Sequence, residues 1–191
     1  LPAPRDREGY FADRHLDYWM MGHGDHLVIA DLARRAGAEI AAGSRFLDFG
    51  CSSGRLLRQF MFQTPGVELY GCDLNRNYIR WMRTHLAPAR VFQNTLIPSL
   101  PLPDDCIDFA YAGSVFTHIG DQEEAWLMEL RRVLRPGGLA LLTVHTDRSY
   151  ALLADAAHFL TRYFTSTAHR CDEFPDAAVD LAFLARPMPA E

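Results

Sequence analysis

The chain has 191 residues, of which 49% are hydrophobic, and a formal net charge of −5. This length and composition predict one domain that buries roughly 70% of its unfolded surface, and they exclude a disordered chain. All 19 basic residues are arginine, which excludes a phosphate-loop lysine, a Schiff-base lysine and a pyridoxal phosphate anchor, and the lack of basic clusters predicts no nucleic-acid partner.

Residues 1–24 are predicted to form an arm that precedes a single domain at residues 25–191. Residues 1–9 are rich in proline and charge, so we expect them to be loose, and an aromatic segment follows them. Gly22 and Gly24 are expected to interrupt the pattern, and Asp25 is a candidate N-cap of a helix that stops at Gly37. A helix with an aromatic segment ahead of it suits either a lid over a ligand or simple packing on a sheet.

A buried strand at residues 46–49 is predicted to feed a tight turn and then a helix. The first amide groups of such a helix point beyond the sheet edge, and small residues let a ligand approach them. The next apolar segment, residues 67–72, ends in Asp73. An acid at the tip of a second strand can accept both hydroxyls of a ribose. Together the two strand ends predict a nucleoside-containing cofactor.

The remaining elements alternate between strand and helix, which predicts an α/β fold with a doubly wound, mostly parallel sheet and helices on both faces. In chain order they are a helix at 75–86, a strand at 90–93, a proline-rich loop at 96–105, a strand at 107–112, a helix at 122–134 and a central strand at 139–144. The tail predicts a helix at 149–164, a weak strand at 165–170 and a last strand at 179–186.

The turn after the first strand reads Asp48-x-Gly50-x-Ser52-x-Gly54. The dinucleotide fingerprint G-x-G-x-x-G would require glycine at positions 52 and 55, where this chain has serine and Arg55. A nicotinamide-dependent oxidoreductase is therefore the weaker alternative. The turn instead resembles D-x-G-x-G-x-G, with serine in place of the middle glycine.

Three later segments carry motifs that belong with this turn. Residues 100–109 are similar to L-P-F-x-D-x-S-F-D-x-V, residues 115–119 to a hydrophobic-x-x-His-hydrophobic segment, and residues 129–138 to L-x-R-V-L-K/R-P-G-G. The four motifs occur in the order and spacing of the class I S-adenosylmethionine-dependent methyltransferases, and the resemblance covers residues 25–146. Folds of this family usually close with an antiparallel last strand.

The resemblance implies S-adenosyl-L-methionine as cofactor and a methyl transfer to an O, N or C nucleophile of a small molecule. The turn would hold the methionine part, with Asp48 positioning the ammonium group. Asp73 would bind the ribose, Leu74 would pack on the adenine, and Ser114 would lie beside the sulfonium. The cofactor-binding residues implied are Asp48, Gly50, Cys51, Ser52, Gly54, Asp73, Leu74, Asn94, Thr95 and Ser114.

The catalytic residues are less well defined. His118 and His145 follow the ends of predicted strands and are weak candidates for a base. The acidic residues have no metal-ligand spacing, so no metal is predicted. A further alternative is a domain that binds the cofactor without catalysis, because serine at position 52 departs from the family pattern.

The four cysteines have no C-x-x-C spacing, which favours free thiols and a reducing, cytoplasmic setting. No segment approaches 18 consecutive apolar residues, so no membrane partner is expected, and no signal peptide is apparent. The oligomeric state and the identity of the methyl acceptor are left open.

Overall fold

A computed structural model describes residues 1–145 and 179–180. Its centre is a five-stranded parallel sheet with the strand order β3-β2-β1-β4-β5. The strands are β1 (Arg45–Phe49), β2 (Glu68–Asp73), β3 (Arg90–Gln93), β4 (Ile107–Ala112) and β5 (Leu134–Leu142). The helices are α1 (His15–Arg35), α2 (Arg55–Gln63), α3 (Arg76–His85) and α4 (Glu123–Val133). The predicted doubly wound α/β fold is confirmed.

The antiparallel last strand is not borne out, because all pairings of the five-stranded sheet are parallel. Of the predicted strand at 179–186, only β7 (Val179–Asp180) is described, and it pairs with β6 (Val144–His145) in a separate two-stranded sheet. The predicted elements at 149–164 and 165–170 lie outside the described residues.

The sheet is buried on both faces because its strand residues alternate between two apolar cores. Phe46 of β1 packs with residues of α1, α2 and α3, whereas Leu47 and Phe49 pack with residues of α4. Asp48 follows the same alternation and lies on the face that α1, α2 and α3 cover. The two cores thereby fix the direction in which each strand end presents its side chains.

Helix α1 is continuous, so the predicted break at Gly22 and Gly24 is wrong. Gly22 is buried where α1 crosses α2, and a β-carbon there would lie 2.9 Å from the backbone oxygen of Arg55. Asp25 lies within the helix rather than at its N-cap, and its carboxylate pairs with Arg55 at 2.5 Å. Helix packing, which local sequence does not reveal, selects glycine at position 22.

The first residues are not loose. Pro4–Asp6 and Gly9–Phe11 form two 3₁₀ turns, and Arg7 between them is only 2% exposed. The Arg7 guanidinium donates to the backbone oxygen of Ala12 and lies 5.2 Å from the centre of the Tyr18 ring. Residues 1–14 therefore pack onto α1 through contacts between charged and aromatic side chains. These contacts join positions that are not neighbours in the sequence, so a hydropathy profile does not reveal them.

Strand β5 begins at Leu134, five residues before its predicted start. Ile107 pairs with Leu134 and Phe109 pairs with Leu139, so four residues bulge out between two pairs of the β4–β5 ladder. The bulge contains the Pro-Gly-Gly sequence of the motif at residues 129–138. Among the described residues, no helix is long and apolar enough to cross a membrane.

Candidate functional site

The turn between β1 and α2 lies at the carboxyl end of the central strand. Gly54 is the N-cap of α2 with a φ of 76°, and a β-carbon there would lie 2.5 Å from Cδ1 of Leu86. Gly50 has a φ of 81°, and a β-carbon there would lie 2.3 Å from Cγ2 of Val115. Both positions thus require glycine for backbone conformation and for close packing against neighbouring elements. Their expected contact with a cofactor stays a prediction.

Asp73 at the end of β2 ties this turn to the neighbouring strand. The backbone N–H of Ser52 donates to Oδ2 of Asp73 at 2.8 Å, and that of Asn75 donates to Oδ1 at 2.7 Å. Burial raises the pKa of Asp73, and these two backbone donors oppose the rise. Since each carboxylate oxygen has two acceptor sites, Asp73 keeps acceptor capacity for a further pair of hydroxyl groups.

Asp48 is buried beneath the turn and is only 3% exposed. Burial raises its pKa to about 8, and the nearby guanidinium of Arg55 opposes this rise. A buried carboxyl with a raised pKa is stabilised in its ionised form by any cation that binds beside it. The geometry therefore suits Asp48 to a ligand that carries a positively charged group.

Two polar atoms beside these acids have no hydrogen-bond partner within the described ranges. They are Oγ of Ser52 and Oδ1 of Asn94, and both are buried. Asn94 follows β3, and its backbone N–H donates to the backbone oxygen of Asp73 at 3.3 Å. Buried polar atoms are normally hydrogen-bonded, so two such atoms around one strand end indicate a site that a polar ligand completes.

The other predicted site residues lie on the same edge of the sheet but are more exposed. Leu74 is 51% exposed, and the Thr95 hydroxyl accepts a hydrogen bond from the Ile97 backbone at 3.1 Å. Ser114 follows β4 with a φ of 55°, and its backbone N–H donates to Oγ1 of Thr143 at 2.6 Å. Their proposed cofactor contacts stay predictions.

The two candidate histidines have different surroundings. His118 is exposed in the loop after β4, and its backbone N–H donates to the backbone oxygen of Val115 at 2.8 Å. This hydrogen bond places His118 in one turn with Val115, the residue that packs against Gly50. His145 lies in β6, and its side chain is outside the described part of the structure.

Sequence reasoning missed a buried network on the inner side of the turn. The Tyr18 hydroxyl lies 2.9 Å from Oγ of Ser53, which in turn donates to Oε2 of Glu8 at 2.7 Å. Arg58 of α2, which is 3% exposed, donates from Nη1 to the Tyr18 hydroxyl at 3.1 Å. The aromatic segment around Tyr18 was the one signal of a packed N-terminal region, whereas nothing local predicts the Glu8 contact.

The cysteines of the site are not reactive thiolates. Cys51 and Cys72 are both buried, and burial raises the pKa of each thiol above its ordinary value. They act as small apolar side chains in the turn and in β2. Among the described residues, no group of three or more His, Cys, Asp or Glu side chains has the arrangement of a metal site.

Comparison with known proteins identifies the family of this fold and site. Residues 47–142, half of the chain, match the family model described as a methyltransferase domain. The chain belongs to the class I S-adenosylmethionine-dependent methyltransferases, and the resemblance seen in the sequence is confirmed.

Two curated relatives illustrate the range of the family. A malonyl-(acyl-carrier protein) O-methyltransferase of Pectobacterium atrosepticum is 29% identical over 66% of this chain and 51% of its own length. A ubiquinone/menaquinone biosynthesis C-methyltransferase of Pseudomonas paraeruginosa is 31% identical over 61% of this chain and 48% of its own. The chain thus spans about half the length of these relatives.

A solved structure shares the fold at lower identity. A putative S-adenosyl-L-methionine-dependent methyltransferase of Methanococcus maripaludis aligns with a TM-score of 0.56 and 15% identity, covering 83% of this chain and 67% of its own. At that identity the likeness concerns the fold alone.

The residues of the site fit the cofactor of this family. S-adenosylmethionine presents ribose hydroxyls, an amine on adenine, and a cationic ammonium and sulfonium. Asp73 has acceptor capacity for the hydroxyls, and buried Asp48 suits a cation. Oδ1 of Asn94, which has no partner in the part of the chain that the structure describes, is an acceptor for an amine. The Ser52 hydroxyl, likewise without a partner within residues 1–145 and 179–180, is a donor for a carboxylate.

Proposed function

We propose that this domain transfers the methyl group of S-adenosyl-L-methionine to a small-molecule acceptor with an O, N or C nucleophile. The observation that carries the proposal is the meeting of the turn with Asp73. There the Ser52 backbone and the Asp73 carboxylate form one hydrogen-bonded unit, beside two buried polar atoms that have no partner among the described residues. The curated relatives, whose names specify O- and C-methyltransferases, support the reaction class.

The bound cofactor supplies an electrophilic methyl group on a sulfonium, and the rate of its transfer depends largely on alignment with the acceptor. The residues of this chain bind and orient. Asp73 holds the ribose end, Asp48 holds the ammonium end, and Asn94 with Thr95 meets the adenine edge. The turn residues Gly50, Cys51, Ser52 and Gly54 face the methionine part, with Leu74 on the adenine and Ser114 near the sulfonium.

We assign the acceptor side of the site to the loop after β4 and to the N-terminal region. His118 in that loop and His145 in β6 are the proposed bases for an acceptor that must lose a proton. Helix α1 and residues 1–14 are the proposed lid, because Arg7, Phe11 and Tyr18 pack together next to Ser53.

The setting of the reaction follows from composition. A net charge of −5 without basic clusters favours a small-molecule substrate over a nucleic acid, and cysteines without paired spacing favour the cytoplasm. Lack of ligand spacing among the acids favours a metal-independent reaction.

Turnover with a metabolite extract tests the proposal. The protein is incubated with methyl-deuterated S-adenosylmethionine and a small-molecule extract, and mass spectrometry searches for labelled products and for S-adenosylhomocysteine. A labelled small molecule together with S-adenosylhomocysteine supports the proposal. Cofactor binding with no labelled product from any extract supports a non-catalytic binding domain instead.

A further inference from the structure

Two acids from distant parts of the chain are fixed to adjacent residues of the turn. Oγ of Ser53 donates to Oε2 of Glu8 at 2.7 Å, and the backbone N–H of Ser52 donates to Oδ2 of Asp73 at 2.8 Å. Glu8 is part-buried and lies between the two 3₁₀ turns of the N-terminal region. The Glu8 carboxylate of the N-terminal region and the Asp73 carboxylate of β2 thus both accept hydrogen bonds from the same turn.

Buried neighbours keep Glu8 at this position. Phe11 is 2% exposed and packs edge-on against Tyr18 with ring centres 5.2 Å apart. The Tyr18 hydroxyl lies 2.9 Å from the same Ser53 hydroxyl that donates to Glu8. Arg7, directly before Glu8, is 2% exposed. Since Arg7 before it and Phe11 three residues after it are both buried, Glu8 is held in place rather than free to swing into solvent.

Glu8 brings a further acidic side chain close to Asp48 and Asp73. Burial raises the pKa of Asp73 and of Asp48, and the Glu8 charge is a further cause of the rise at both carboxyls. The same charge acts on Tyr78 of α3, whose pKa is raised first by burial. Glu8 therefore acts electrostatically on the cofactor site from the side that the N-terminal region covers.

The methyl donor and its product differ in charge at one atom. S-adenosylmethionine carries a sulfonium, whereas S-adenosylhomocysteine carries an uncharged thioether sulfur, because the electron pair of the broken S–CH₃ bond stays on sulfur. Carboxylates around the site attract the donor more than the product, whereas hydrogen bonds to ribose and adenine hold both ligands equally.

We propose that Glu8 is a specificity-determining residue that favours the cationic methyl donor over its uncharged-sulfur product. This inference rests on the proposed function, since it concerns the ligands of that reaction. It assigns to the N-terminal region a charge role besides its proposed role as a lid, namely the selection of a donor-loaded site over a product-loaded one.

The test compares the dissociation constants of both ligands by titration calorimetry for the wild type, Glu8→Gln and the control Glu39→Gln. Glutamine keeps an acceptor for Ser53 and removes only the charge. Glu39 is an exposed acid in the loop before β1, at the opposite edge of the sheet. We expect Glu8→Gln to raise the dissociation constant of S-adenosylmethionine about three- to tenfold and to leave that of S-adenosylhomocysteine nearly unchanged, with Glu39→Gln altering neither.

Equal weakening of both ligands by Glu8→Gln would show that Glu8 only fastens the N-terminal region, and no weakening would show no role; either result overturns the proposal. A second readout needs no variant. In the wild type, the dissociation constant of S-adenosylhomocysteine divided by that of S-adenosylmethionine should fall as the salt concentration rises, because salt screens the charge interaction. A ratio that does not change with salt would also overturn the proposal. A wild type that binds neither ligand contradicts the proposed function itself, which is a different result.

Discussion

Gly54 provides a direct test of how the turn is built into the fold. Its φ of 76° lies in the left-handed region, and a β-carbon there would lie 2.5 Å from Cδ1 of Leu86 and 2.7 Å from Sδ of Met82. Replacing Gly54 by alanine therefore imposes two separate costs, a left-handed backbone for a residue with a β-carbon and overpacking against α3.

The magnitude follows from these two costs. A left-handed conformation costs a residue other than glycine about 1–2 kcal/mol, and overpacking a tight core costs about 1–3 kcal/mol. We therefore expect Gly54→Ala to lower the free energy of unfolding by about 2–5 kcal/mol. Gly37 is the matched control, because it has a φ of 80° and no atom of the described residues lies within 4 Å of a β-carbon there. Gly37→Ala should lose only the backbone part, about 1–2 kcal/mol.

Urea denaturation followed by circular dichroism measures both variants against the wild type. Equal m-values would confirm that the difference lies in stability rather than in the compactness of the unfolded chain. Gly54→Ala should lose at least about 1 kcal/mol more than Gly37→Ala. Equal losses would refute the reasoning, because they would show that Leu86 and Met82 do not confine the turn.

Three further predictions concern helix α1, the buried acid and the chemistry. Gly24→Ala should raise the thermal midpoint through a gain of up to about 1 kcal/mol in helix propensity. Gly22→Ala should lower the midpoint, because its β-carbon would lie 2.9 Å from the Arg55 backbone oxygen. A Gly22→Ala protein more stable than the wild type would contradict the observed packing. With a folded-state pKa of about 8, Asp48 binds a proton in the folded chain that the unfolded chain has released. Its contribution to stability should therefore fall as pH rises from about 4 to 8, and denaturation across this range should show no such loss in Asp48→Asn. Turnover should survive EDTA, and restoration of EDTA-treated enzyme by Mg²⁺ would contradict the metal-free account. If His118 is the base, His118→Ala should lower the rate about 10²–10⁴-fold and leave cofactor affinity unchanged.

The strands that position the site were predictable because each reads as a short apolar run with a polar residue at its end. Strands β3 and β4 have the predicted bounds, and β1 and β2 differ from theirs by one residue at each altered end. Parallel pairing then places Asp48 and Asp73 on adjacent strand ends, since Phe49 is the register partner of Cys72. Local sequence pattern and sheet topology together were sufficient to predict where Asp48 and Asp73 lie.

The N-terminal region was not predictable, because long-range packing determines it. Gly22 reads locally as a helix breaker, yet it lies where α1 approaches the backbone of Arg55, so the crossing requires a residue without a side chain. Arg7 and Glu8 read as solvated charges. The buried position of Arg7 depends on Tyr18, 11 positions away in the sequence, and the part-buried position of Glu8 depends on Ser53, 45 positions away.

The central claim is that the ends of β1 and β2 bind S-adenosyl-L-methionine, and titration calorimetry of this ligand with the wild type and Asp73→Ala tests it most directly. The account predicts binding by the wild type and a loss of about 1.5–3 kcal/mol in Asp73→Ala, the range for hydrogen bonds to a charged group. The exposed-acid variant Asp121→Ala should bind as the wild type does. Binding of NADH without binding of S-adenosylmethionine, or equal affinity for wild type and Asp73→Ala, would contradict the account.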